Sequence, residues 1–162
     1  MAKIKEIIDN YKFKFFFDED DNRLNIKVNK GATTEEIHKF ESEYGIKIPA
    51  ELEDLFLLSD GIMLFGIEIL PLAETKVFYD RGLLCFHEWG NGDFDCVSFG
   101  DEYPLNSVVF LDHSEDRTAF VIRSFREWIL VVINEIGRLG TLLHPMDYLY
   151  REEKGLYLNV LK

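Results

Sequence analysis

The sequence is poor in the residues that mark several protein classes. Only 4 of its 162 residues are Pro and 11 are Gly, which excludes collagen-like and low-complexity chains. Two cysteines, Cys85 and Cys96, are too few for a disulfide framework. Without a leader-like segment at the start, they read as reduced thiols in a cytoplasmic protein. No apolar run approaches the ~20 residues of a membrane helix; Trp128 to Ile133 is the longest candidate. Basic residues are also scarce, with 18 Lys+Arg against 30 Asp+Glu and a net charge of −12. Affinity for nucleic acid comes mainly from Lys and Arg displacing counterions, so the balance argues against nucleic acid and anionic membranes alike.

What is present is ample core material. The chain is 47% hydrophobic and 14% aromatic, and with this length it predicts one folded domain over residues 1–162. Ile4, Ile7, Ile8 and Tyr11 recur at helical spacing, so the chain opens on an amphipathic helix. Phe13, Phe15 and Phe17 alternate, as do Leu24, Ile26 and Val28, around an acidic tip at residues 18–22. That suits a hairpin, although Phe15 and Phe16 also continue the helical pattern.

Thr33 and Glu36 form a capping box ahead of Ile37, Phe40 and Tyr44, and Gly45 is a helix stop. Pro49 opens a second helix carrying Leu52, Leu55 and Phe56, which Asp60-Gly61 ends. Strands are expected at Met63–Leu70, Leu83–Trp89, Phe94–Phe99, Val108–Leu111 and Thr118–Ile122, with Gly90-Asn91-Gly92 as a tight turn. Spacings this short leave no room for crossover helices, so the sheet is antiparallel. Ser124 and Glu127 form a second capping box. Phe125, Trp128, Ile129, Val132 and Ile136 then make an apolar helix stripe, with Gly137 or Gly140 at its end. The class is α+β: a mainly antiparallel sheet built from hairpins, N-terminal helices, and a C-terminal helix packed against it.

Catalytic motifs are missing. There is no Gly-x-x-x-x-Gly-Lys-[Ser/Thr], no Gly-x-Gly-x-x-Gly and no Gly-x-Ser-x-Gly. Cys85, His87, Cys96 and His113 lie on or near strands, and Cys85 and His87 share a face by period 2. Cys85 and Cys96 could also approach each other across the Gly-Asn-Gly hairpin. With no Cys-x-x-Cys or His-x-x-x-His pair, however, no metal site is expected, and the cysteines read as small buried hydrophobes. No cofactor is expected either.

Charge segregation stands out. Residues 1–30 carry 7 Lys+Arg and 6 Asp+Glu, whereas no Lys or Arg occurs between Arg81 and Arg117. That stretch holds Glu88, Asp93, Asp95, Asp101, Glu102, Asp112, Glu115 and Asp116. A single-sign field favours fast association with a basic partner; it equally suits a solvated sheet edge that resists aggregation. If the field is a binding face, Asp93, Asp95, Asp101, Glu102, Asp112, Glu115 and Asp116 are its candidate contacts. Trp89, Phe94 and Tyr103 are candidate anchors if exposed, with packing as the plainer role for Phe94.

Residues 31–37 (Gly-Ala-Thr-Thr-Glu-Glu-Ile), Phe40-Glu41, residues 45–49 (Gly-Ile-Lys-Ile-Pro) and Leu55 to Gly61 together resemble the opening signature of the SUKH superfamily. Phe65-Gly66-Ile67, Gly90 to Asp93 and Ser124-Phe125 with Trp128 continue the likeness, over about residues 31–137. Residues 140–162 form an extension without a family pattern. The resemblance implies a non-catalytic bacterial immunity protein that binds a cognate polymorphic toxin domain, and a nuclease-type toxin, commonly basic, would match the acidic field. Related fungal domains regulate cell-wall synthesis, so a general interaction or regulatory domain is the alternative.

Overall fold

A computed structural model describes residues 3–113, 117–142, 144 and 145. The chain opens with helix α1 (Ile4–Tyr11), which buries Ile4, Ile7 and Ile8. A hairpin of β1 (Phe15–Phe17) and β2 (Arg23–Val28) follows, settling Phe15 and Phe16 on a strand. Helix α2 (Thr34–Tyr44) starts at the expected capping box: the Thr33 N–H donates to Glu36 at 2.7 Å and the Glu36 N–H to Thr33 at 3.1 Å. Gly45 ends it at φ +65°, a conformation cheap only for glycine. Pro49 stands immediately before α3 (Ala50–Leu58), whose Leu52, Leu55 and Phe56 enter the core.

The strand expected over Met63–Leu70 is two strands, β3 (Ile62–Leu64) and β4 (Ile67–Ile69). Phe65 and Gly66 fold the chain back at φ +49° and +91°. A bulky side chain is rare at positive φ; here the buried Phe65 ring is held against Phe16 at 4.6 Å. An unanticipated strand, β5 (Lys76–Phe78), lies between one-turn 3-10 helices at Leu72–Glu74 and Tyr79–Arg81. Then come β6 (Leu83–Glu88), β7 (Phe94–Ser98), β8 (Val108–Asp112), β9 (Arg117–Ile122) and helix α4 (Phe125–Leu139). At the start of α4 only half of the second box forms: Ser124 accepts from the Glu127 N–H, while the Glu127 carboxylate faces Arg123.

Among the described residues the strands make two antiparallel sheets, ordered β1-β2-β3-β4 and β5-β6-β7-β8-β9. The helices and both sheets share one core, with Trp128 fully buried against Phe86 and Phe125. Leu83, Cys85, Phe94, Cys96, Tyr103, Val109 and Leu111 form a second cluster.

One register irregularity governs this region. The turn pairs Glu88 with Phe94 and His87 with Asp95, but Cys85 then pairs with Cys96. Phe86 is the extra residue of a β-bulge. Without it Cys85 would face Val97; with it the two cysteines stand opposite and are joined by a disulfide. The expectation of free, separate thiols is therefore corrected. The bulge also ends the period-2 relation between Cys85 and His87. Cys85 joins the second cluster, whereas His87 packs on Trp128, with ring centroids 5.9 Å apart. The two sheets meet at the same place: the Leu70 N–H donates to the Phe86 carbonyl at 2.8 Å, and His87 Nδ1 lies 2.7 Å from the Glu68 carbonyl.

Candidate partner-binding face

The acidic residues of the 88–116 stretch divide into two groups. Asp93, Asp95 and Asp112 are buried; Asp101 and Glu102 are exposed. Glu115 and Asp116 lie outside the described residues.

Asp93 follows the Gly90-Asn91-Gly92 turn, and its N–H donates to the Asn91 side chain. Its carboxylate accepts from the His113 N–H at 3.0 Å, the His113 ring, the Asn91 amide at 2.9 Å and the His144 ring at 2.8 Å. Burial opposes its charge, yet the His113 N–H, the His113 ring, Asn91 and His144 together hold the carboxyl below the usual range. The result is a latch fastening the β6–β7 turn to the end of β8 and to the residues after α4. Asp93, Asp112 and His113 bring potential metal-donor atoms within 4.8 Å of one another. Both Asp93 oxygens also accept hydrogen bonds, which tie this trio to the turn and to His144.

Asp95 lies deeper, on the face toward α4. The Trp89 indole donates to it at 3.0 Å. Burial dominates and pushes its carboxyl up to about 7, against the Trp89 and Trp128 indoles, which favour the charged form; the nearby charge of Asp93 pushes the same way as burial. Trp89 is half-buried, its ring set against His87 and His144, both 5.0 Å away. Phe94 and Tyr103 are buried in the second cluster. Of the candidate anchors, then, none stands free in solvent.

The exposed acids belong to a lobe made of the Tyr79–Arg81 turn and the loop between β7 and β8. Two glycines let these backbones touch: a Cβ on Gly82 would lie 2.5 Å from the Gly100 Cα. The Phe99 and Gly100 N–H groups both donate to the Gly82 carbonyl, at 2.8 and 3.1 Å. Arg81 then clamps the lobe, meeting Glu102 at 3.0 Å and the Tyr103 hydroxyl at 2.6 Å. Arg81 and Tyr103 hold the Glu102 carboxyl below its usual range. On this frame Tyr79 is 54% and Leu105 65% exposed, beside the exposed Asp80 and Asp101. Apolar tips among carboxylates, on a backbone fixed by glycine contact and an ion pair, suit a protein interface.

Sequence reasoning missed Tyr79 and Leu105. The signal was available in the sequence: Tyr79 stands beside Asp80, and Leu105 follows Asp101 and Glu102 within one short loop. A cleft beside α2, with Lys39 as well as acids in its lining, was also unanticipated. It measures 310 Å³ and is lined by Phe40, Tyr44 and Leu72, with Glu36, Glu43 and Asp60 among its other residues. Two of those acids are committed, Glu36 to the α2 cap and Asp60 to the Leu72 N–H.

Compared with protein families, residues 31–130 match the family described as SMI1 / KNR4 (SUKH-1). Compared with curated proteins and with solved structures, the chain has no significant match in either.

Proposed function

Because the chain belongs to the SMI1 / KNR4 family (SUKH-1), we propose that it is an immunity protein. In this proposal it binds a cognate toxin domain, blocks it stoichiometrically and performs no catalysis. The toxin domain is basic, of the nuclease type, and docks on the lobe formed by Tyr79, Asp80, Asp101, Glu102 and Leu105. The observation that supports this site is the pairing of exposed carboxylates with exposed apolar tips there, in a chain of net charge −12. Carboxylates steer a basic partner and speed encounter, while the apolar tips supply contacts that slow release. The buried Asp93 serves by fastening the β6–β7 turn to the end of β8 and to His144, and Trp89 and Tyr103 pack beneath the surface.

The proposal puts the protein in the cytoplasm, where a toxin would act. Among the described residues no helix is long and apolar enough to cross a membrane. Disulfides are uncommon in that compartment, but both cysteines are fully buried, away from soluble reductants. The test is co-expression with the toxin domain encoded by the neighbouring gene. Growth should be restored in proportion to the amount of this protein, and the two chains should co-purify one to one. Continued growth arrest with no complex would point instead to a regulatory domain with another partner.

A further inference from the structure

Away from the acidic lobe, Asp93, Asp112 and His113 gather a mixed set of oxygen and nitrogen donors. The sheet brings them together. β7 and β8 pair Phe94 with Leu111, so the next rung places Asp93 opposite Asp112. Both are buried, at 2% and 4% exposure. Like charges directly opposite on a ladder repel, and a low-dielectric surrounding strengthens the repulsion. A divalent cation between them reverses its sign. Asp112 also stands opposite Arg117 on its other side, which leaves its convergence with Asp93 and His113 unchanged.

His113 completes the set. Its Nδ1 lies against Asp93 Oδ1 and 3.9 Å from Asp112 Oδ1. The ring has room because residue 92 is glycine: a Cβ there would sit 3.3 Å from His113 Cβ and Cγ. Tetrahedral zinc with bonds of ~2.0 Å spaces its ligand atoms about 3.3 Å apart. The three donor atoms all lie within 4.8 Å of one another, so small side-chain rotations reach that spacing. The second Asp93 oxygen is held separately, by the Asn91 amide at 2.9 Å and the His144 ring at 2.8 Å. Outer hydrogen bonds of this kind orient a ligating carboxylate. The His113 side chain is 51% exposed, so an ion can enter from solvent and water can fill the remaining positions.

The donor set selects the ion. An imidazole nitrogen beside two carboxylates favours a transition metal over Mg²⁺ and Ca²⁺, which prefer oxygen alone, and Zn²⁺ stands above Mn²⁺ in the general affinity order. Cys85 and Cys96 are bonded to each other and offer no thiolate. The sequence shows no close ligand pair because strand register, not local spacing, joins position 93 to 112 and 113.

We propose that Asp93, Asp112 and His113 form a binding site for one Zn²⁺ ion, held by Asp93 Oδ1, Asp112 Oδ1 and His113 Nδ1. The ion then fastens the β6–β7 turn to the end of β8. The site does not involve the lobe at Asp101, so it stands or falls apart from the toxin reading.

The test is calorimetric titration of the full chain with Zn²⁺ alone, after chelator treatment and dialysis without reductant. The parent should bind one ion per chain and melt several degrees higher with it, and millimolar Mg²⁺ should not compete. His113→Ala and Asp112→Asn should each bind about tenfold or more weakly, whereas His38→Ala, which changes an exposed histidine on α2, should bind like the parent. Proton NMR of the parent's four histidine rings keeps the test sound if a variant fails to fold: Zn²⁺ should move the His113 signals and leave those of His38 and His87 in place. No binding by the parent overturns the proposal. So do parental affinity in His113→Ala, loss of binding in His38→Ala, and His113 signals that stay put.

Discussion

His87 and Asp95 stand directly opposite each other on β6 and β7, both buried, and do not bond. His87 spends Nδ1 on the Glu68 carbonyl, and its Nε2 has no partner among the described residues. Asp95 turns to the Trp89 indole. Burial pushes the two groups in opposite directions: the imidazole is held neutral, its pKa lowered, and the carboxyl is raised to about 7.

The first prediction follows from those directions. Between its ordinary 3.8 and about 7, folded Asp95 keeps a proton that the unfolded chain has lost. Its contribution is therefore complete below the lower value and is lost as pH rises through the upper one. His87 acts oppositely: as pH falls below its ordinary 6.5, the unfolded chain takes a proton that the folded chain refuses. Asp95→Asn, melted across this range, should match the parent near the acid end. It should gain on the parent steadily as pH rises to about 7 and hold that gain above. A difference that does not change with pH would sink the assignment.

Trp128 lies fully buried among Phe86, Phe125 and His87. Truncation to Ala removes a large side chain from a site whose walls are a helix and a sheet, and neither can collapse freely. The expected cost is about 3–5 kcal/mol in denaturant unfolding. A midpoint close to the parent's would mean that the helix face is wrongly assigned.

Asp93 gathers donors from three separate segments, so Asp93→Ala should leave several of them unpaired at once. A loss of about 2 kcal/mol or more is expected, with faster amide exchange at His113 as the local sign. Because the folded carboxyl is held below its usual range, the parent's advantage over the variant should be present at neutral pH. It should fade as pH falls through that lowered value. Unchanged exchange at His113 would show that the latch is not there in solution.

Alkylation followed by intact mass gives the state of the cysteines. Native or unfolded without reductant, the purified chain should take up no label, and after reduction in denaturant two groups. Two groups added without reductant would contradict the Cys85–Cys96 bond.

Local chemistry was legible in the sequence. The Thr33–Glu36 box, the Gly45 stop, the acidic β1–β2 tip and the Gly90–Gly92 turn each depend on residues close in the chain, and each formed where expected. The Phe86 bulge was not legible, since nothing in Cys85-Phe86-His87 distinguishes a bulge from regular alternation. That one residue decided both the disulfide and the parting of Cys85 from His87. Burial of the acids was hidden for a related reason. Asp93 and Asp95 sit at or in β7, a strand with neighbours on both edges and cover on both faces. Strand order of that kind arises only from the whole sheet. Composition showed that acids were concentrated here, while position in the sheet decided which of them meet solvent.

The central claim is that the lobe at Tyr79 and Asp101 captures a basic toxin domain, and stopped-flow association with that purified domain tests it most directly. Asp80→Lys/Asp101→Lys spares Glu102, which Arg81 and Tyr103 hold, and should keep the parent's melting temperature. It should slow association by about tenfold or more at low salt, with the difference shrinking as salt rises. Tyr79→Ala/Leu105→Ala should instead speed release and abolish protection of toxin-expressing cells. Association and release rates equal to the parent's in both variants, with protection intact, would contradict the account and move the interface off this lobe.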